Sequence, residues 1–205
     1  MASSAFAVAT LQFSGTGFAT FSCADGAACD GNPLAGVVQF SGPLGNFLVN
    51  VSTGISKPVF THPKMDLNSV NVQASGPAST LNIEFSDDFF TVPSPQFDLQ
   101  FGGTIGGGSV TVLAFLDEGN ALFAGNLIGS LGPFSGGAFS GNVFGPGTAD
   151  TSYSLSQKLT LNSNGPVFSF SGDFALNPVP EPASVALFMG MLVVTGTAIR
   201  RKMKV

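Results

Sequence analysis

The sequence predicts an all-β, antiparallel β-sandwich-like body followed by a single C-terminal transmembrane helix. Three observations predict it. Apolar side chains recur at every second position in many short runs, as strands with one buried face require. Gly, Pro, Asn and Asp clusters divide those runs at the close spacing of an antiparallel sandwich. An uncharged apolar run then stands at the C-terminal end, just before a basic cluster.

Residues 1–9 read in two ways. Ala7-Val8-Ala9 fits the small-x-small rule of a cleavage site, which makes this stretch the remnant of a longer signal peptide. It reads equally as an ordinary first strand beginning near Ala5. The β domain is expected over 10–177, opening with strands at 10–14, 17–22, 35–41, 46–53 and 67–74. Cys23 and Cys29 enclose a short loop among these. In an oxidising compartment they form a disulfide, and otherwise they are free thiols.

Leu81, Ile83 and Phe85 then alternate with Asn82, Glu84 and Ser86, and Phe97, Leu99 and Phe101 alternate with Asp98 and Gln100. Gly102-Gly103-Thr104-Ile105-Gly106-Gly107-Gly108 reads as a flexible hairpin connection. Strands follow at 109–116, 121–128 and 138–144. Tyr153, Leu155, Leu159 and Leu161 share one face, with Gln157 interrupting them as an edge or bulge position. Phe168, Phe170, Phe174 and Leu176 share another, opposite Ser169, Ser171, Asp173 and Ala175. Gly42-Pro43, Gly76-Pro77, Asp117-Glu118-Gly119-Asn120 and Asn164-Gly165-Pro166 supply turns. Phe-Ser-Gly occurs at Phe13, Phe40, Phe134, Phe139 and Phe170 without a fixed period. Its simple reading is Phe in the core, Ser in solvent and Gly at a bend.

Composition supports a folded, exported body. Leu, Ile, Val and Phe make up roughly 30 % of the chain, above the range of disordered proteins. Charged residues are only 9 %, where about 25 % is usual, so solubility falls to Ser, Thr, Asn, Gln and backbone. All twelve acids lie at or before Glu181, against Lys57, Lys64 and Lys158 in the same stretch. Phosphate backbones would repel such a body, which sets nucleic acid aside as a partner.

The search for chemistry is nearly empty. His62 is the single histidine, flanked by Thr61 and Pro63, and reads as an exposed loop residue. No Gly-x-Ser-x-Gly elbow occurs. The glycine run lacks a phosphate-loop Lys and the spacing of a dinucleotide loop. Two cysteines and one distant histidine do not make a zinc site. Asp87-Asp88 and Asp117-Glu118 carry oxygens of the kind Ca²⁺ takes, but without a repeated ligand pattern they read as solvated turns. The sequence therefore predicts no enzyme, no metal and no cofactor. Trp is absent and Tyr occurs once, so any polysaccharide contact should rest on Asn, Ser and Asp hydrogen bonds rather than on stacked rings.

The tail, residues 178–205, carries the sharpest motif. Ala183 to Ile199 is uncharged; as a helix it spans about 25 Å, near the lower limit for a bilayer. Arg200, Arg201, Lys202 and Lys204 follow and stay cytoplasmic under the positive-inside rule, with the body outside. Alternating prolines before the span hold the chain extended and stop a strand from running through. Val179-Pro180-Glu181-Pro182-Ala183-Ser184, the apolar span and the basic cluster together resemble the PEP-CTERM sorting signal of Gram-negative, biofilm-forming bacteria. The resemblance implies an inner-membrane-anchored precursor, cleaved near Pro180-Glu181-Pro182 by an exosortase-type membrane peptidase. It also implies delivery to the cell surface or beyond and an association with exopolysaccharide. The expected function is thus that of a surface or extracellular-matrix protein, structural or adhesive. The alternative is a non-catalytic glycan- or ligand-binding module of an exopolysaccharide matrix.

Overall fold

The computed structural model describes residues 8–179. They form twelve strands: β1 (Thr10–Gly15), β2 (Phe18–Ala24), β3 (Val37–Leu44), β4 (Phe47–Ile55), β5 (Met65–Ala74), β6 (Ser79–Phe90), β7 (Ser94–Gly106), β8 (Gly108–Asp117), β9 (Asn126–Phe134), β10 (Gly137–Thr148), β11 (Tyr153–Ser163) and β12 (Phe168–Val179). Two six-stranded sheets result, ordered β2-β1-β6-β11-β8-β9 and β10-β7-β12-β5-β4-β3. Every pairing is antiparallel. Among the described residues no helix is long and apolar enough to cross a membrane. The expected span 183–199 and the basic cluster lie outside them.

The core follows from the alternation. Leu81, Ile83 and Phe85 of the first sheet face Phe97, Leu99, Phe101, Phe170 and Phe174 of the second, all buried. Phe101 lies within 5.0–6.2 Å, between ring centroids, of Phe134, Phe139, Phe170 and Phe174. Offset and edge-on rings at such spacings add to what burial alone contributes.

Five expectations need correction. The ninth strand begins at Asn126 rather than 121, because Asp117 Oδ2 accepts from the Ala121 amide (2.7 Å) and holds a turn there. That turn places Asn120 and Phe123 at positive φ, incompatible with a strand. Gly102 to Gly106 are not a connection but the end of β7; the hairpin turns on Gly107 alone, at φ +72°. Gln157 is at no edge. It is fully buried in the interior strand β11, facing inward with Leu155 and Leu159, and its Nε2 donates to the Phe174 carbonyl of the other sheet (2.7 Å). That bond satisfies the amide N–H, while Gln157 Oε1 is buried without a partner.

The chain also stays in the sheet past residue 177. Pro178 and Val179 pair with Phe97 and Gln96 of β7. β5 has no partner in β12 beyond Leu176, so Pro178 sits on a locally free edge where its missing N–H costs nothing. Finally, the Phe-Ser-Gly habit has mixed roles. Phe13 and Phe170 are buried, whereas Phe40, Phe134 and Phe139 are half-buried near the sheet margins. Gly172 lies inside a strand and only Gly136 stands at a turn with positive φ and nothing near it.

Candidate functional site

The outer face of the second sheet gathers the polar residues that alternate with core Phe and Leu. Register sets Ser140 beside Gly102 and Asn142 beside Gln100 between β10 and β7. It sets Asp173 beside Gly102 and Ala175 beside Gln100 between β12 and β7. Gly102 has no side chain, so these neighbours surround a depression with a backbone floor. The result is a shallow cleft of about 580 Å³ lined by Gln100, Phe101, Gly102, Ser140, Gly141, Asn142, Asp173 and Ala175.

Hydrogen bonds orient its amides. Gln100 Nε2 donates to Asp98 Oδ2 (2.6 Å) and Asn142 Nδ2 donates to Asp98 Oδ1 (3.3 Å). Each amide keeps a carbonyl oxygen and a second N–H for a ligand. Asp173 Oδ1 accepts from the Ser69 amide (2.7 Å), where an extra residue in β5 interrupts the pairing with β12. Phe144 follows Ser140 and Asn142 on the same face of β10 and is 55 % exposed.

The charges here are acidic. Asp98, Asp173 and Asp66 stand on this face, and no base lines the cleft. Burial pushes the Asp66 carboxyl above its ordinary range; Lys64 opposes the rise and Asp173 adds to it. Asp98 and Asp173 stand in register with Asn177 and Gly102 respectively, four residues apart along β7 and β12. At the rise of a strand that is about 13 Å between the two.

The other residues singled out from the sequence lie elsewhere. Cys23 and Cys29 are joined in a disulfide, Cα–Cα 5.8 Å, closing the loop after β2. His62 is exposed, its Nδ1 3.0 Å from Thr61 Oγ1. Asp87 is no solvated turn: it is 1 % exposed and bound to Lys57 and Ser56. Asp117 caps its own turn, and Glu118 Oε1 accepts from Thr148 Oγ1 (3.1 Å). Among the described residues no three His, Cys, Asp or Glu come together as metal ligands. Of the sorting motif only Val179 is described, at the end of β12; Pro180, Glu181, Pro182, Ala183 and Ser184, with Arg200, Arg201, Lys202 and Lys204, lie outside. Of the cleft residues, Gln100, Ser140, Asp173 and Ala175 were read from the sequence as the solvent side of strands, and Gly102 as part of a connection. Which strands stand side by side is what alternation does not say.

No family model matches the chain, and no curated protein matches it. Among solved structures it is similar to the enzymatically active domain of bacteriophage CBA120 tailspike protein 4. Identity there is 11 % and the TM-score 0.40, over 82 % of this chain and 19 % of the other. The chain thus spans about a fifth of that domain's length. It is also similar to TmCBM61 in complex with β-1,4-galactotriose, at 10 % identity and TM-score 0.37, over 70 % of this chain and 83 % of the other. A third is the carbohydrate binding module CBM6cm-2 from Cellvibrio mixtus lichenase 5A in complex with cellotriose. Here identity is 13 % and the TM-score 0.28, over 53 % and 78 % of the two chains. Likenesses this loose place no residue, and the cleft stands on its own geometry.

Proposed function

We propose that the body is a non-catalytic module that binds a neutral polysaccharide across the outer face of the second sheet. The observation that carries this reading is the cleft itself: side-chain amides, a hydroxyl and a carboxylate around a glycine floor, open enough for a polymer to lie along it. Amides and carboxylates pair with sugar hydroxyls as donors and acceptors, and Phe144 offers an apolar face to a sugar ring. The acids exclude anionic polymers by repulsion. A purely structural or adhesive role would need no such depression.

Gly102 gives a clean test. A Cβ there meets Phe139 O at 3.5 Å, Ser140 Cβ at 3.7 Å and Ser140 Cα at 4.0 Å, all ordinary contacts, so a larger side chain fits the strand while filling the cleft. Affinity electrophoresis through soluble neutral glucans and galactans should retard the wild-type body, with a uronate polymer as the anionic control. Gly102→Thr should weaken retardation by about tenfold or more, which is about 1.4 kcal/mol. No retardation by any polymer, or equal retardation of both proteins, defeats the reading.

The tail extends the proposal. We infer that Val179 to Ser184, the span and the basic cluster direct an inner-membrane precursor to an exosortase-type peptidase, and that the mature body is released to the surface or matrix. Val179 is the last residue of β12 and the first of the motif. The intact mass of released material should end near Glu181. Released protein that still contains Lys204 would overturn the processing step.

A further inference from the structure

The chain avoids charge, yet it encloses one ion pair between its two sheets. Lys57 follows the end of β4 in the second sheet, and Asp87 lies on β6 in the first. Lys57 Nζ stands 2.9 Å from Asp87 Oδ1 and 2.9 Å from Oδ2. Equal distances to both oxygens put the nitrogen opposite the carboxyl carbon, within the ~3–3.5 Å of a near-attack geometry. Ser56 Oγ donates to Oδ2 (2.7 Å) and the Asp88 amide to Oδ1 (2.9 Å), which fixes the carboxyl group. The Asp87 side chain is 1 % exposed, and the Phe90 ring covers the ammonium at 4.9 Å from its centroid. The Lys57 side chain is 26 % exposed, so the pair meets solvent on the lysine side while its carboxylate is buried.

We propose that Lys57 and Asp87 condense into an intramolecular amide that covalently joins the two sheets. A proton passes from Lys57 Nζ to an Asp87 oxygen, leaving an amine and a carboxylic acid. The nitrogen lone pair attacks Cγ, a C–N bond forms, and the C–O bond to the protonated oxygen breaks. One water leaves with both oxygen-bound protons, so an ammonium and a carboxylate become an amide and water with no oxidant or reductant. The second of those protons comes from the nitrogen itself, which keeps its third as the amide N–H. Condensation also removes the charge of a buried carboxylate, which is costly to keep desolvated.

The test is the mass of the full chain made in a bacterial periplasm and measured after reduction of the disulfide. The expected result is a mass short by one water, with a branched fragment that joins the residues around Lys57 to those around Asp87. A full, uncondensed mass overturns the proposal whatever the variants do. Lys57→Met and Asp87→Ala should each restore the missing water and abolish the branched fragment.

Discussion

Phe170→Ala should cost roughly 3–5 kcal/mol, while Ser169→Ala changes stability by less than about 0.5 kcal/mol. Phe170 is 2 % exposed on β12, its ring 6.2 Å from Phe101 and 6.4 Å from Phe139. Emptying that position leaves a cavity among rings that are themselves pinned. Phe101 touches Phe174 and Phe134 as well, so no single neighbour can swing in to fill the space. Ser169 sits one residue away on the exposed face. Against a typical stability of about 5–15 kcal/mol, the first change should move a urea midpoint by a large fraction and the second hardly at all. A one-residue slip in register would exchange the two outcomes. Equal effects would mean that β12 has no buried face.

The strands were legible because each face of the sandwich writes itself into the chain with period two. Leu81-Ile83-Phe85 and Phe168-Phe170-Phe174 are inward-facing as their alternation says. What alternation could not supply was position within a sheet. Gln157 looked like an interruption because a polar residue on an apolar face suggests an edge; its partner, the Phe174 carbonyl, is seventeen residues on and in the other sheet. Asp87 looked solvated for the same reason, since nothing local announces that Lys57 reaches it from thirty residues away. The cleft was illegible on the same ground. Gln100, Ser140, Asn142 and Asp173 come from three strands, and only the order β10-β7-β12 makes them one surface. Glycine misled in a different way. A run rich in glycine reads as a loop, whereas here both Gly102 and Gly103 lie inside a strand, Gly103 serving close approach to β12 and Gly102 leaving the cleft open.

That last distinction carries the second large effect, because Gly102 and Gly103 should respond oppositely to the same substitution. Gly102→Ala places its methyl group in the cleft at ordinary contact distances and should stay within about 0.5 kcal/mol of wild type. Gly103→Ala points its Cβ into the Ser171 carbonyl and to 2.7 Å from Gly172 Cα. Both obstacles are backbone, not the end of a side chain that can rotate away. β12 is held by β7 on one side and β5 on the other, and Gly103 pairs directly with Gly172. Relief therefore requires prising β7 from β12 in the middle of the sheet that carries the cleft. The cost should reach or exceed the upper end of the roughly 1–3 kcal/mol usual for overpacking. Thermal melts of the two alanine variants should separate them clearly, with Gly103→Ala also losing polysaccharide retardation because the floor of the cleft is displaced. Small and equal shifts would return the segment to a flexible connection and leave the cleft without its rigid floor.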